Sequence, residues 1–290
     1  MHSTLSPAND AALALAPLGK SSATPTQYDP GLLFPIPRAM AREGIQLGTD
    51  LPFMGHDLWT AYELGWLNHK GKPQVAMAYI SVPCESPFMI ESKSFKLYLN
   101  SLNDHRFDSA TEVSQRIADD INPVLWGDQP VRSRATVEVV LPADFGRLRL
   151  AELEGLSLDR LDIDVDDATA HSLPVCLPED TTTVEETLTS DLVRALCRVT
   201  GQPDWASVQI RYVGRPMDHA ALLRYLVGFR NRQEFHEPLS ERIFMDIWRL
   251  CRPMQLQVLL RFTRRGGMDI NPLRTSVPGM ASKLLRSARQ

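Results

Sequence analysis

A cysteine and an aspartate lie close together in the second half of the chain, and the two residue types could carry out covalent chemistry. Cys197 ends one predicted element and Asp204 begins the next, with a Gly201-Gln202-Pro203 turn between them. A thiol is a nucleophile, and a neighbouring carboxylate can carry the proton that such a reaction moves. We therefore expect Cys197 and Asp204 to face one pocket. The alternative is a buried, inert cysteine beside a turn aspartate.

The element before Cys197 is predicted to be a helix. Thr183-Val184-Glu185-Glu186 has the pattern of a capping box, which opens helices, and the predicted helix runs to about Cys197. The thiol would then lie at the helix C-terminus, where the helix dipole disfavours a thiolate. Cys197 is therefore expected to attack an electrophilic substrate while its proton is handed over in place.

The composition excludes several classes of protein. The chain has 290 residues, of which 43% are hydrophobic and 23% charged, with a net charge of −4. This balance argues against a nucleic-acid binder, and no apolar run approaches the roughly 18 residues of a membrane span. The four cysteines have neither the spacing of a disulfide framework nor that of a zinc site, so we expect no metal and a cytoplasmic location.

The length suits two domains, and the composition changes along the chain indicate where they lie. Residues 1–50 are rich in Pro, Ser and Gly and are predicted to form an arm on the surface rather than a core element. Residues 51–145 are predicted to be a first module and residues 181–290 a second. Residues 146–180 are predicted to be an acidic connecting segment.

Hydrophobic periodicity predicts the elements of the first module. Trp59, Tyr62 and Trp66 follow helical spacing, whereas the residues of 75–80 alternate as in a half-buried strand. The pattern predicts helices over 57–67, 91–102 and 111–121 and strands over 75–80 and 135–141. Asn122-Pro123 is predicted to end the third of these helices.

The second half repeats this order. The helix face Phe95, Tyr98, Leu99, Leu102 reappears as Leu222, Tyr225, Leu226, Phe229, and strands are predicted over 208–212 and 256–262. The expected fold is therefore α+β, with two tandem modules of antiparallel sheet and paired helices on one face. In this repeat Leu67 corresponds to Cys197 and Gln74 to Asp204. Conversely, Glu91-Ser92-Lys93-Ser94 of the first half corresponds to Asp218-His219-Ala220-Ala221 of the second. Each half thus carries one of the two polar sets, which predicts that both contribute to one site.

Two further stretches of the second module carry candidate binding residues. His236 and Glu237 begin its second predicted helix. The carboxylate of Glu237, like that of Glu91, could accept a pair of donors from the edge of a guanine-like ring, the alternative being a capping carboxylate beside a structural histidine. Arg264 and Arg265 precede a Gly-Gly turn that suits a phosphate, the alternative being a solvated basic turn.

Four stretches of the chain, taken in order, carry a family resemblance. They are Glu91-Ser92-Lys93-Ser94-Phe95-Lys96, Cys197 with Gln202-Pro203-Asp204, Glu234-Phe235-His236-Glu237, and Arg264-Arg265-Gly266-Gly267-Met268-Asp269-Ile270-Asn271-Pro272. Together they resemble the NADPH-dependent 7-cyano-7-deazaguanine reductases of the long, two-module type. The resemblance runs from about residue 25 to the C-terminus.

The resemblance implies the tunnelling fold, a homodimer, and reduction of the substrate's nitrile to an amine with two NADPH in the pathway to queuosine. It also implies that Cys197 adds to the nitrile carbon to form a thioimide and that Asp204 supplies the proton. The deazaguanine would be held by Ile90, Glu91, Ser92, His236 and Glu237. NADPH would contact Ser92, Lys93, Arg265 and Gly266. The partner is then a small deazapurine, with no direct contact to nucleic acid or membrane.

The chemistry of a nitrile agrees with these residues. A nitrile is a weak electrophile, and its covalent capture divides a difficult reduction into two hydride steps. One rival interpretation is another tunnelling-fold enzyme acting on purine or pterin rings, such as a cyclohydrolase-like protein, which usually needs a metal cluster. A second rival is a non-catalytic purine-binding protein, which would have no use for a thiol beside a carboxylate.

Overall fold

The chain folds into two compact units. The computed structural model describes residues 16–17, 19–20, 24–47, 50–166, 169, 172–177, 182–278 and 286–290. The first unit comprises Met1–Gln46, Asp57–Leu148 and Arg264–Asp269, and the second comprises Leu47–His56, Arg149–Thr263 and Ile270–Gln290. Both mix helices with antiparallel strands, as expected for an α+β protein. Among the described residues, none of the helices combines the length and the hydrophobicity that a membrane span requires.

The described part of the first unit has three strands in one sheet, a separate pair of short strands, and three α-helices. Its elements are β1 (Pro35–Pro37), α1 (Arg38–Arg42), β2 (Met54–Leu67, which begins in the second unit), β3 (Pro73–Pro83), β4 (Phe88–Ile90), α2 (Ser92–Ser101), α3 (Ala110–Trp126) and β5 (Thr136–Val140). The sheet order is β5-β3-β2, and β1 pairs separately with β4. The predicted strands over 75–80 and 135–141 and the helix over 91–102 are confirmed.

The helix predicted over 57–67 is wrong, because this segment is the long strand β2. Trp59 and Trp66 are both buried, and aromatic side chains favour strands as well as helix faces. Near its centre the strand buries the adjacent residues Thr60 and Ala61, which lie on opposite faces. Burial on both faces hides the alternation that would otherwise have identified a strand.

Helix α3 continues past the proline that was predicted to end it. Pro123 lies inside the helix, which runs on to Trp126. The side chain of Asn122 donates a hydrogen bond to the carbonyl of Ala118 at 2.6 Å, and Leu125 and Trp126 are fully buried. Tertiary packing of this last turn therefore outweighs the backbone hydrogen bond that a proline removes.

The N-terminal residues belong to the core more than their composition suggested. Ile36 on β1, Met40 on α1 and Ile45 in the following turn are all buried. The prediction that 1–50 holds no core element is thus wrong for this part of the segment. Residues 1–15, 18, 21–23 and 48–49 lie outside the described residues.

The second unit is built on a five-stranded sheet with two helices. Its elements are β6 (Leu156–Ser157), β7 (Val184–Leu196), β8 (Pro203–Gly214), α4 (His219–Val227), α5 (His236–Cys251), β9 (Gln255–Phe262) and β10 (Met268–Thr275, which begins in the first unit). The order is β10-β9-β8-β7-β6, with all pairs antiparallel except β6–β7. The strands predicted over 208–212 and 256–262 are confirmed.

The helix predicted over 183–197 is also wrong, because this segment is strand β7. The strand contains a bulge, where the pairing register shifts between Ser190 and Val193. Its buried residues are Leu188 and Ser190 before the bulge and Val193 and Ala195 after it. The three-residue step across the bulge imitates helical spacing, because the extra residue interrupts the two-residue period of a strand.

Candidate active site

Cys197 lies at the end of the hairpin formed by β7 and β8, not at the end of a helix. Its backbone N–H donates to the carbonyl of Gln202 at 2.7 Å, and its carbonyl accepts from the N–H of Gly201 at 2.9 Å. These bonds extend the antiparallel pairing beyond the last strand residue, Leu196. The helix dipole that was expected to act on the thiol is therefore absent at this position.

Asp204 shares a face of the hairpin with Cys197. In the register of β7 and β8, Asp204 lies directly opposite Ala195, two residues before the cysteine. Side chains two residues apart on a strand point to the same face, and so do directly opposed residues. Cys197 is 8% exposed and Asp204 4% exposed, so the thiol and the carboxylate share a largely dry environment.

His236 joins this pair from the start of α5. Its Nε2 lies 3.4 Å from Oδ2 of Asp204, and its ring stacks on Phe262 with the ring centroids 3.7 Å apart. The other ring nitrogen, Nδ1, is buried and has no hydrogen-bond partner within the described part of the chain. Glu237 follows in the first turn of the helix and is also buried. The second unit thus gathers Cys197, Asp204, His236 and Glu237.

Glu234 is a buried carboxylate for which the sequence predicted no role. Its Oε2 accepts from Nε and Nη2 of Arg242 at 3.2 and 3.0 Å, and its Oε1 lies 3.8 Å from Nη1 of Arg198. Burial raises the pKa of Glu234, and the three arginines Arg242, Arg198 and Arg232 oppose that rise. Two features of the sequence could have indicated a role for Glu234: its position within a recognised motif, and Arg198 next to the candidate nucleophile.

Glu91 caps helix α2 in the first unit. Its Oε1 accepts from the N–H of Lys93 at 2.6 Å and its Oε2 from the N–H of Ser94 at 2.8 Å. Burial raises the pKa of Glu91, while these two backbone bonds and the Ser92 hydroxyl counteract it. Ile90 is the buried last residue of β4, so Ile90, Glu91 and Ser92 follow one another where the strand passes into the helix.

The two motifs predicted to contact the cofactor lie together in the first unit. Gly266 and Gly267 have φ angles of +57° and +75° and form a two-residue turn closed by hydrogen bonds between Arg265 and Met268. Such a turn favours glycine at both central positions. A Cβ placed on Gly266 would lie 3.2 Å from Nζ of Lys96, so α2 and this turn are in contact.

These residues fit the phosphate groups of the NADPH that the resemblance implies. Lys93 and Lys96 on α2 and Arg265 in the turn supply cationic groups, and Gly266 exposes its peptide without a side chain. Cations beside bare peptide groups are suited to phosphate oxygens. The ammonium of Lys93 also donates to the carbonyl of Lys20.

Comparison with known proteins matches both parts of the chain. A family described as nitrile reductase, 7-cyano-7-deazaguanine-reductase N-term, matches residues 24–132, and one described as QueF-like protein matches residues 203–278. Glu91, Ser92 and Lys93 lie in the first match, and Asp204, His236 and Glu237 lie in the second. Cys197 lies shortly before the second match.

Curated relatives match over nearly their full length. A protein of Acidovorax ebreus (strain TPSY) is 52% identical over 282 residues, covering 94% of this chain and 97% of the relative. A protein of Bordetella bronchiseptica is 53% identical over 279 residues, covering 96% of this chain and 99% of the relative. Both are named NADPH-dependent 7-cyano-7-deazaguanine reductase. This chain belongs to the family of NADPH-dependent 7-cyano-7-deazaguanine reductases.

Proposed function

We propose that this chain reduces the nitrile of 7-cyano-7-deazaguanine (preQ0) to the primary amine of 7-aminomethyl-7-deazaguanine (preQ1), with NADPH, in the biosynthesis of the tRNA nucleoside queuosine. The observation that carries the proposal is the placement of Cys197 and Asp204 on one buried face of the β7–β8 hairpin. Family membership at more than half identity over nearly the whole chain supports it.

The first step is addition of the thiol to the nitrile. A bond forms between the sulfur of Cys197 and the nitrile carbon as one π bond of the C≡N group breaks. Asp204 takes the thiol proton and delivers it to the nitrile nitrogen, so no free nitrogen anion forms. The product is a thioimide on Cys197. Because both residues are buried, little water competes for the proton.

Several polar motif residues are assigned to binding of the deazaguanine ring. With Nε2–H of His236 directed to Asp204, the buried Nδ1 is an acceptor for a ring N–H of the substrate. The carboxylates of Glu91 and Glu237 accept further N–H groups of the ring. Glu91 already binds two backbone N–H groups, but a carboxylate has about four acceptor positions and retains capacity for a ligand.

NADPH supplies the hydrides that reduce the captured carbon, two molecules being consumed for each nitrile. The chain's own contribution at this point is binding and orientation. Lys93 and Arg265 neutralise phosphate charge, while Ser92 and the peptide of Gly266 offer hydrogen-bond donors to the same group.

The assembly is part of the same proposal. We assign residues 51–145 and 181–290 to two tandem tunnelling-fold modules and the chain to a homodimer that acts in the cytoplasm. The matching backbone hydrogen bonds at the ends of the two long hairpins support the assignment of two related modules. Sedimentation of the purified chain at several concentrations measures the oligomer, and a monomer throughout would refute the dimer.

Intact-protein mass spectrometry tests the function directly. The chain is mixed with 7-cyano-7-deazaguanine in the absence of NADPH, and the mass of one substrate molecule should be added to wild type and not to Cys197→Ala. Added NADPH should then be oxidised with the nitrile base but not with the nitrile-free deazaguanine. An equal mass gain in both proteins, or no gain in wild type, would reject the covalent mechanism.

A further inference from the structure

We propose that Glu234 is a positioning residue for Cys197, holding the peptide that carries the thiol in the orientation needed for addition. The inference deepens the proposed function and rests on it. It assigns to one residue the task of fixing both chain neighbours of the nucleophile, one through its backbone and the other through its side chain.

The residue before Cys197 is fixed through the backbone at position 234. The N–H of Leu196 donates to the carbonyl of Arg232 at 2.8 Å, and the carbonyl of Leu196 accepts from the N–H of Glu234 at 3.1 Å. The segment that leads into α5 therefore lies as a short parallel bridge against the end of β7.

The residue after Cys197 is fixed through the side chain at position 234. One oxygen of Glu234 is bound by Arg242 of α5, at 3.0 Å from Nη2, and the other lies 3.8 Å from Nη1 of Arg198. Glu234 is 5% exposed and Arg198 10% exposed, so water screens this interaction weakly. The Glu234 carboxylate thus links Arg198, the residue after the nucleophile, to helix α5 through Arg242.

The same segment also places the other polar residues of the site. His236 lies two residues after Glu234 and contacts Asp204 at 3.4 Å. Loss of the Glu234 charge should therefore displace the thiol relative to its proton carrier, while the backbone bonds to Leu196 still hold the start of α5, with His236, in place. Displacing a reacting group by about 1 Å can cost roughly 10²-fold in rate.

The first unit shows that the bridge itself does not need a carboxylate. There the N–H of Leu67 donates to the carbonyl of His105, and the carbonyl of Leu67 accepts from the N–H of Phe107. Phe107, a buried hydrocarbon, takes the position that Glu234 takes in the second unit. A buried ion pair is a poor source of stability compared with apolar packing. The charge at position 234 is better explained by its contact with Arg198 than by the stability of the fold.

The test measures adduct formation and affinity separately. Glu234→Gln should form the adduct about 10²-fold more slowly than wild type. Affinity for the nitrile base is measured by calorimetry in proteins that carry Cys197→Ala, so that no adduct forms. The double variant Cys197→Ala/Glu234→Gln should bind within about twofold of Cys197→Ala, because a positioning role does not alter ring contacts. Glu186→Gln is the matched control, since Glu186 binds Tyr212 and His219 at the opposite end of β7 and should leave both quantities unchanged.

A second variant keeps the inference testable if Glu234→Gln does not fold. Arg198→Gln should slow the adduct by a similar factor, and where both fold the double variant should be no slower than the slower single one. Adduct formation within twofold of wild type in either variant would overturn the inference. A loss of affinity as large as the loss of rate would also overturn it. Wild type that forms no adduct at all would refute the proposed function, and with it this inference.

Discussion

The two units close their long hairpins with the same backbone hydrogen bonds, and only one closure carries a nucleophile. In the first unit the N–H of Asn68 donates to the carbonyl of Lys72, and its carbonyl accepts from Gly71. In the second unit Cys197 makes the same two bonds, with Gln202 and Gly201. The backbone arrangement is therefore common to both, and the chemistry depends on the side chain that each turn carries.

The side chains at these two positions do different things. Oδ1 of Asn68 accepts from the N–H groups of Lys70 and Lys72, each at 3.0 Å, so it stabilises its own turn. Cys197 leads a turn that is one residue longer, so Asn68 corresponds to it, and not Leu67 as the sequence repeat indicated. The extra residue is invisible to an alignment that is anchored on the Gly and Pro of the turn.

Removing the thiol tests the comparison with the largest expected effect. Cys197→Ala should lower NADPH-dependent turnover by at least about 10³-fold, because the covalent route is lost. Asn68→Ala, at the corresponding position, should cost about 1 kcal/mol of folding free energy and leave turnover within twofold. Steady-state kinetics and urea unfolding measure the two effects. A comparable loss of turnover in both variants would show that the turns do not differ in function.

Replacing the carboxylate across the hairpin sharpens the comparison. Asp204→Asn keeps the shape of the side chain but cannot carry the proton, so adduct formation should slow by about 10²- to 10⁴-fold. Gln74→Ala, at the corresponding position of the first unit, should leave adduct formation unchanged, since the side chain of Gln74 donates to the backbone carbonyls of Lys72 and Pro73 in its own turn. The rate of adduct formation is measured from a time course of the intact-protein mass. Unchanged kinetics in Asp204→Asn would remove Asp204 from the reaction.

The caps of α2 and α4 offer a third contrast. Glu91 and Asp218 both accept backbone N–H groups at the start of a helix, but only Glu91 is proposed to bind the substrate. Glu91→Gln should weaken binding of the nitrile base by about 1.5–3 kcal/mol, the range for hydrogen bonds to a charged group. Asp218→Asn should leave the affinity unchanged. Both affinities are measured by calorimetry in a Cys197→Ala background, which prevents the covalent step. An affinity of Glu91→Gln equal to that of the unchanged background would exclude Glu91 from the pocket.

A feature that the units share should affect stability alone. Tyr98 donates to Asp120 and Tyr225 to Asp246, both at 2.7 Å. Each Tyr→Phe change should cost about 1–3 kcal/mol of folding free energy, with turnover retained. The cost should be smaller for Tyr98, because Asp120 also accepts from Tyr28 at 2.6 Å. Urea unfolding measures the difference, and a larger cost at Tyr98 would contradict this account.

The residues of the candidate site could be proposed from the sequence, because their types suit only a few reactions and their order follows a family pattern. The helix starts at Glu91 and His236 were found because capping and periodicity are local properties of the chain. The identity of the element before Cys197 was not, because a capping-box pattern is a local signal, whereas β7 forms by pairing with β8. Glu234 was missed as well, since its importance depends on Arg198 and Arg242, which approach it only in the folded chain.

The sequence by itself determined which groups are available for chemistry: a thiol, its neighbouring carboxylate, a histidine–glutamate pair and two basic motifs. Short-range rules for helix caps and turns also determined where several elements begin. Only the tertiary structure decided that Cys197 follows a strand, that His236 reaches Asp204, and that the Gly266 turn meets α2. These outcomes depend on strand pairing and packing between distant segments, where the free energy of burial outweighs local propensity.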